Sequence, residues 1–368
     1  MTALAQGRTR FPLPPGSTIG ILGGGQLGRM LSLAAARLGF DVMVLTPESR
    51  SPASRVAART VVAAYDDPEA LAELARACAV ITFEFENVPA TALDRLATLG
   101  AVTAPNARAL AVSQDRLTEK TFLNEAGLAT VTFAPVDDAH ALSPAIARLG
   151  LPLLLKSRQG GYDGKGQVWV RRPQDAAAAL ASIGGGKAIA EAPADFRREL
   201  AVIAARGWGG EIALYPLTQS HHDNGILRRT TAPARGAGRS LAETERIAAT
   251  LLTALDYVGV LGVELFESDD GRLLVNEFAP RVHNTGHWTL DGCDVDQFEQ
   301  HIRAIAGWPL GPTRAVRQVE MINLLGDDAA SWAAIAGEAD SRLWLYGKDD
   351  AKPGRKMGHV NRLSDLDP

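Results

Sequence analysis

Two glutamates that interrupt apolar segments are the residues whose chemistry most needs an explanation. Glu264 lies in GVLGVELFES and Glu277 in LLVNEFAP, where Asn276 precedes it. A carboxylate inside an apolar segment needs a partner, because an unpaired buried charge is costly. Two carboxylates and an amide form an oxygen-rich set that suits Mg²⁺ bound together with nucleotide phosphates. The alternative is that both segments are alternating strands whose carboxylates face water.

Polar side chains follow this pair at high density. The segment PRVHNTGHW supplies Arg281, His283, Asn284 and His287 in close succession. So many hydrogen-bonding groups are hard to explain by loop packing alone, and we interpret the segment as part of a ligand site.

A glycine-rich loop, RQGGYDGKGQ, follows the apolar segment LPLLLKS, which ends near Lys156. Its composition predicts a mobile flap whose backbone amides and Lys165 close over phosphates. It is not a P-loop, because the Walker spacing is absent and a strand follows where that motif requires a helix. The alternatives are a solvated hairpin turn and a Lys156 side chain that only reaches the surface.

The N-terminal segment GILGGGQLGRM contains a second glycine-rich loop. Gly23, Gly25 and Gly28 have the G-x-G-x-x-G spacing of a nucleotide-binding turn, which lets a ligand approach the backbone and a helix N-terminus. NAD binding also needs an acidic residue at the end of the second strand. Thr46 and Pro47 stand there instead. The dinucleotide interpretation is therefore weakened but stays open, beside a tight strand-to-helix turn.

The surrounding elements divide the chain into three regions. Apolar strands alternate with helices up to about residue 114, which predicts a doubly wound parallel sheet. A β-rich unit follows, and its segments around Glu264 and Glu277 are predicted to form a hairpin about the sequence DDG. We expect a glycine-loop α/β domain at 1–114, an α+β domain at 115–306 with a flap lobe at about 127–190, and a small C-terminal cap at 307–368.

Composition excludes several classes of protein. Hydrophobic residues make up 46% and charged residues 22%, as in ordinary globular proteins. The net charge of −4 gives no basic field for nucleic acid. No segment approaches the roughly 20 apolar residues that span a bilayer. Cys78 and Cys293 lack metal-ligand spacing and lie in apolar surroundings, so we expect buried thiols in a reducing compartment. The starting expectation is a cytoplasmic enzyme that binds neither nucleic acid nor membrane.

Several motifs in order resemble those of one family. GGGQLGRM, TFEFENVP, KSRQGGYDGKGQ, GVLGVELF, NEFAPRVHNTGHWT and PGRKMGHVN closely resemble the N5-carboxyaminoimidazole ribonucleotide synthetases, ATP-grasp enzymes of purine biosynthesis. The resemblance runs from about Ser17 to the C-terminus. Single motifs are shared across the ATP-grasp superfamily, whereas GGYDGKGQ combined with APRVHNTGHWT is far more specific. The family fold would comprise a pre-ATP-grasp domain, a two-lobed ATP-grasp and a C-terminal cap.

The resemblance implies an ATP site between two antiparallel sheets. Arg116 and Lys156 would contact phosphates, Glu199 the ribose and His222 or its neighbour His221 the nucleotide. Glu264 and Glu277 would hold Mg²⁺, or Mn²⁺ in its place, with Asn276 beside them. The flap would consist of Gly161, Tyr162, Asp163, Gly164, Lys165, Gly166 and Gln167. The adenine pocket would be lined by Glu191, Ala192, Pro193 and Ala194, with Pro193 offering only a carbonyl.

It also implies the second substrate and the reaction. Bicarbonate would attack ATP to give carboxyphosphate, and carboxyphosphate or CO₂ would carboxylate aminoimidazole ribonucleotide. The catalytic groups would be Lys156, Lys165, Arg281 and Asn284. The ribonucleotide would contact Gly25, Gln26, Leu27, Glu84, His283, Lys348, Arg355 and Lys356. A homodimer and transfer of the product to a carboxyaminoimidazole mutase are further implications.

Three other functions stay open at this point. Another ATP-grasp ligase, such as the formate-dependent glycinamide ribonucleotide transformylase, would share the loops and the metal carboxylates. An NAD(P)-dependent dehydrogenase would use the N-terminal loop but leave those carboxylates unexplained. A non-catalytic metabolite-binding protein would not need a full set of phosphate and metal ligands.

Overall fold

The N-terminal region is a four-stranded parallel sheet with helices on both faces. The computed structural model describes residues 11–161 and 164–366. The strand order is β3-β2-β1-β4, which confirms the predicted doubly wound sheet. Its elements are β1 Thr18–Leu22, α1 Gln26–Arg37, β2 Asp41–Thr46, β3 Arg59–Val62, α2 Pro68–Ala77, β4 Val80–Phe83, α3 Ala90–Thr98 and α4 Ala107–Ser113.

The apolar strands of this sheet are buried on two sides. Ile21 and Val44 face the cluster that includes helix α1, whereas Leu22 and Leu45 face helices α2 and α3. This two-sided burial explains why the strands read as continuous apolar runs rather than alternating ones. Helix α1 ends at Arg37, and Gly39 just beyond it adopts a φ of 81°, which suits a glycine C-cap.

The flap lobe is a small antiparallel sheet in the order β5-β8-β6-β7. Helices α6 and α7 cover one face with alanine and leucine side chains. The glycine-rich loop joins β6 to β7, and two of its residues, Tyr162 and Asp163, lie outside the described residues. Helix α5 Arg116–Glu125 precedes the lobe. The elements of the lobe are β5 Phe133–Val136, α6 Leu142–Leu149, β6 Leu153–Ser157, β7 Gln167–Val170, α7 Ala176–Ser182 and β8 Ala188–Glu191.

A large sheet forms the second wall of the central region. Its strand order is β14-β13-β9-β11-β12-β15-β17-β16, with β10 paired to β9. The expected hairpin around DDG is present as β13 and β14. The elements before residue 306 are β9 Arg198–Arg206, β10 Ile212–Leu214, β11 Thr218–Asp223, β12 Ile226–Ala232, α8 Leu241–Ala254, β13 Gly259–Glu267, β14 Leu273–Ala279, α9 Thr289–Gly292 and α10 Gln297–Ile305.

The C-terminal region extends this sheet instead of forming a separate one. Strand β15 pairs antiparallel with β12, and β17 lies between β15 and β16. The expected boundary near residue 306 therefore falls between elements that share one sheet. The C-terminal elements are β15 Gln318–Leu325, α11 Trp332–Ala336, β16 Ser341–Leu345 and β17 Lys356–Ser364.

Two further expectations concern the whole chain. Within residues 11–161 and 164–366, no helix is both long and apolar enough to cross a bilayer. Cys78 and Cys293 are free thiols, and both are half-buried rather than fully buried as predicted. Burial raises the pKa of Cys78 to about 12.

Candidate active site

One cleft of about 1400 Å³ is lined by residues of all three regions. It collects most of the site residues expected from the sequence. Gly25, Gly166 and the segment 191–194 are absent from its described lining. The expected residues that line it are Gln26, Leu27, Glu84, Arg116, Lys156, Gly161, Gly164, Lys165, Gln167, Glu199, His222, Glu264, Asn276, Glu277, Arg281, His283, Asn284, Lys348, Arg355 and Lys356.

The N-terminal glycine loop binds a carboxylate of the protein itself. Glu84, directly after β4, accepts hydrogen bonds from the amides of Gly25 (2.8 Å) and Gly28 (3.1 Å). A Cβ atom on Gly25 would lie 2.7 Å from Oε1 of Glu84, so the close approach requires glycine. Burial raises the pKa of Glu84, and the two amides oppose that shift.

This arrangement corrects two expectations about the loop. The amides of Gly25 and Gly28 are engaged by Glu84, so they are not available to the pyrophosphate of a dinucleotide. For the same reason, the start of helix α1 does not present these two amides to a ribonucleotide. Gln26 and Leu27 do line the cleft, and Glu84 is 6% exposed there. The loop's contribution to the cleft is therefore the placement of Glu84 and of the two residues after Gly25.

The two carboxylates expected to bind metal are direct partners across strands β13 and β14. Glu264 lies opposite Glu277 in the register of the hairpin. Arg116 donates to Glu277 at 2.8 Å and to the carbonyl of Gly161 at 3.2 Å, so it joins this pair to the base of the flap. Although burial raises the pKa of Glu277, Arg116 outweighs it and holds the pKa at about 2.

The negative charge of the Glu264 carboxylate is not balanced by its neighbours. Burial and the charge of Glu277 raise its pKa to about 7, and His283 lies 3.7 Å from its Oε1. Two carboxylates directly opposite each other repel unless a cation lies between them. No group of three or more His, Cys, Asp or Glu side chains within the described chain could hold a metal by itself. The pair therefore fits a divalent cation that takes its remaining ligands from phosphates.

His222, and not His221, lines the cleft beside the carboxylates. Its Nδ1 is hydrogen-bonded to Glu199, the residue expected at the ribose. Burial lowers the pKa of His222, but the bond to Glu199 and the charge of Glu264 outweigh it and raise the pKa. His221 is exposed, as expected for the neighbour of His222 on a strand, where successive side chains point to opposite faces. The choice that the sequence left open thus falls on His222.

Lys156 lies on the cleft floor in a buried cluster of charges. Its ammonium is 2.7 Å from Glu191, and the ammonium of Lys120 is 3.4 Å from the other oxygen of Glu191. The Glu191 side chain is therefore buried and engaged by two lysines, and it is absent from the described lining of the cleft. Roles in the adenine pocket for the backbone of 191–194 stay predictions.

The segment after β14 turns its polar side chains toward the cleft. Arg281 pairs with Glu86 at 2.7 Å. Both amide atoms of Asn284 are buried without a hydrogen-bond partner among the described residues, and so is Nε of Arg281. The neighbouring His287 is buried and bonded to Gln297 at 3.1 Å, which makes it a support for the loop rather than an exposed ligand.

The C-terminal basic residues close one end of the cleft. Lys348 donates to the carbonyl of Lys356 at 2.7 Å, and Arg355 donates to the carbonyl of Asp350 at 3.0 Å. Lys348 also lies 5.7 Å from the ring centre of Tyr346. The basic tail is thus folded against the cleft and does not form a solvated end.

Sequence reasoning missed Glu86 and Lys120. Lys120 lies four residues after Arg116, so helical spacing alone would place both on one face of α5. No local pattern points to Glu86, because its partner Arg281 is distant in the sequence.

The chain matches three described domain families. These are a ribonucleotide synthetase preATP-grasp domain over residues 17–114, an ATP-grasp domain over 121–298, and a phosphoribosylaminoimidazole carboxylase C-terminal domain over 320–367.

Curated proteins and solved structures are similar over nearly the whole chain. An N5-carboxyaminoimidazole ribonucleotide synthase of Brucella melitensis is 52% identical over 353 residues, covering 95% of this chain and 97% of that protein. The ADP complex of an N5-carboxyaminoimidazole ribonucleotide synthetase has a TM-score of 0.93 at 41% identity, covering 97% of this chain and 95% of that one. The Aspergillus clavatus synthase with ADP and 5-aminoimidazole ribonucleotide has a TM-score of 0.88 at 31% identity, covering 95% and 94%.

Proposed function

The chain belongs to the N5-carboxyaminoimidazole ribonucleotide synthase family, and we propose that it carboxylates 5-aminoimidazole ribonucleotide with ATP and bicarbonate. The product is N5-carboxyaminoimidazole ribonucleotide, with release of ADP and phosphate, in purine biosynthesis. One observation carries the proposal. A single cleft joins the paired carboxylates of β13 and β14 to the buried Lys156 and to a separate side built on Glu84.

The nucleotide occupies the side between the two sheets. Lys156 and Arg116 contact its phosphates, Glu199 and His222 its ribose, and the described flap residues, with Lys165, cover it. Glu264 and Glu277 would hold Mg²⁺, which would neutralise charge on the transferring phosphoryl group. ATP complexes of relatives support this assignment, since a family structure from Aspergillus clavatus contains ATP.

Bicarbonate lies where Arg281, His283 and Asn284 meet the carboxylate pair. Arg281 offers a guanidinium to the anion, and the buried amide of Asn284 offers a donor and an acceptor. A hydrogen-bonding set with unused capacity in a buried place suits a small oxyanion. His283 stays neutral near pH 7, because burial lowers its pKa to about 3.

The ribonucleotide lies on the side formed by the N-terminal loop and the C-terminal residues. Gln26, Leu27 and Glu84 face it from the parallel sheet, and the positive charges of Lys348, Arg355 and Lys356 suit its phosphate. The N-terminal region thus serves the acceptor amine rather than a nicotinamide cofactor.

The reaction needs positioning and charge neutralisation more than covalent catalysis. A bicarbonate oxygen attacks the γ-phosphorus, and the bond between that phosphorus and ADP breaks. In the direct route the amine attacks the carboxyl carbon of carboxyphosphate, the bond from that carbon to the phosphate oxygen breaks, and the amine loses a proton. In the other route carboxyphosphate first breaks down to CO₂ and phosphate, and the amine then adds to CO₂ and loses a proton. Lys156, Lys165 and Arg281 hold these anions in place, and the covered cleft excludes water from the labile carboxyphosphate.

ADP release measured with bicarbonate or formate, in the presence of 5-aminoimidazole ribonucleotide or glycinamide ribonucleotide, tests this function. We expect turnover only with bicarbonate and the aminoimidazole substrate. Turnover with formate and glycinamide ribonucleotide would instead identify the transformylase activity. A cytoplasmic location, a homodimer and transfer of the product to a mutase are part of the proposal.

A further inference from the structure

One turn of helix α5 holds the strand that carries Glu277. Lys120 donates to the carbonyl of Asn276 at 3.1 Å, and Glu119 accepts from the amide of Phe278 at 2.7 Å. The Arg116–Glu277 pair described above lies between these two contacts along the strand. Side chains spaced by three and four residues on one helix therefore bind three consecutive residues of β14. These contacts fix the position of Glu277, and with it the carboxylate pair, relative to helix α5.

Lys120 also reaches across to the flap lobe. Its ammonium is 3.4 Å from Glu191 on β8, and Glu191 is 2.7 Å from Lys156 on β6. The three side chains are buried, with Lys120 1%, Glu191 3% and Lys156 8% exposed. Lys120 thus forms an ion pair with Glu191 of the flap lobe and a hydrogen bond with Asn276 of the large sheet. The Glu191 oxygen that faces Lys120 has no hydrogen-bond partner among the described residues.

The charges of this cluster explain why a second lysine is needed. A Lys156–Glu191 pair alone would be neutral, and the carboxylate would compete with phosphates for the ammonium of Lys156. With a protonated Lys120 near the opposite carboxylate oxygen, the cluster carries one net positive charge. Burial lowers the pKa of Lys120, and the charge of Glu191 opposes that shift. Burial raises the pKa of Glu191, but Lys156 and Lys120 outweigh it and lower the pKa, so the carboxylate is ionised.

We propose that Lys120 is a positioning residue for nucleotide binding: it holds Glu191 and supplies the charge that leaves Lys156 available to the phosphates. This inference rests on the proposed contact between Lys156 and ATP. The competing explanation is a buried ion cluster that only stabilises the fold. The two differ in one respect, because only the proposed role depends on the net charge of the cluster.

The test is Mg-ADP binding by titration calorimetry to the full chain and five variants, with thermal unfolding recorded for each. We expect Lys120→Met to weaken ADP binding by about tenfold or more, while the KM for 5-aminoimidazole ribonucleotide stays within about twofold. Adding Glu191→Gln to that variant restores one net positive charge and should recover most of the affinity. Lys187→Met removes an exposed lysine from the same lobe and should leave ADP binding unchanged.

The outcomes separate this inference from the proposed function. A double variant that binds ADP no better than Lys120→Met would show a structural role and overturn the inference. If Lys120→Met binds ADP normally while Lys156→Met loses ADP binding, the inference about Lys120 is overturned and the proposed function stands. Unchanged binding by Lys156→Met would instead remove Lys156 from the phosphate site. If Lys120→Met does not fold, Glu191→Gln alone decides, because the charge argument requires equal or tighter ADP binding and a structural role requires weaker binding.

Discussion

Acid should weaken the contact between the N-terminal and central regions through one buried histidine. His301 on α10 accepts a hydrogen bond from the amide of Val260 at Nδ1 (3.1 Å), and its Nε2 lies 2.8 Å from the hydroxyl of Thr82. Because Nδ1 accepts, the ring is neutral and Nε2 donates to Thr82. The absence of a side chain at Gly259 makes room for the ring. Protonation of the neutral ring would place the second proton on Nδ1, which faces the N–H of Val260.

The size of the effect follows from the two pKa values. Burial lowers the pKa of His301 to about 3, whereas an imidazole in the unfolded chain has a pKa of about 6.5. Between pH 3 and pH 6.5 the unfolded state binds more protons than the folded state. The stability that the neutral His301 ring contributes is therefore fully present above about pH 6.5 and is lost as the pH falls toward about 3. From pH 7.5 to 5.5, this one residue should lower the free energy of unfolding by about 1.4 kcal/mol.

Urea unfolding of the wild type and of His301→Gln at both pH values measures this contribution. The variant lacks the titrating ring, so the stability difference between the two proteins should narrow by about 1.4 kcal/mol at pH 5.5. His140→Gln is the matched control, because His140 is exposed and its removal should change little at either pH. The neutral, buried state of His301 would be refuted if the wild type and His301→Gln differed in free energy of unfolding by the same amount at both pH values.

Three other variants test the cleft. Glu277→Gln should reduce ADP release by about 100-fold or more, since it weakens the metal at the phosphates; full activity at low Mg²⁺ would remove Glu277 from the site. Lys165→Ala should lower turnover about tenfold or more without shifting the melting temperature, and normal turnover would make the loop structural. Gly25→Val should displace the carboxylate of Glu84 and raise the KM for 5-aminoimidazole ribonucleotide about tenfold or more, with ADP affinity, measured directly, changed much less. Loss of ADP affinity to the same degree would mean that Gly25 does not act on the ribonucleotide side.

Features encoded in short segments could be predicted from the sequence. The helix from Gln26 and its end at Gly39 follow from apolar spacing and a glycine cap. The hairpin that opposes Glu264 to Glu277 follows from two apolar segments around a turn sequence. Both depend on residues that are close together in the chain.

Features that depend on long-range pairing could not be predicted in this way. Glu84 satisfies amides more than fifty residues earlier, so the glycine spacing alone suited an external anion equally well. Strand β15 pairs with β12 across an intervening set of helices and strands, and no local pattern shows that the large sheet continues there. Likewise, the burial of Glu191 between two lysines requires knowledge of where α5 lies.

The most direct measurement follows labelled carbon from bicarbonate into product. Purified protein is incubated with Mg-ATP, 5-aminoimidazole ribonucleotide and ¹⁴C-bicarbonate, and both ADP and labelled ribonucleotide are quantified. We expect one labelled product for each ADP released, and no labelled product when either ATP or the ribonucleotide is omitted. ADP release without incorporation of label, or incorporation that does not need ATP, would contradict an ATP-dependent carboxylation in this cleft.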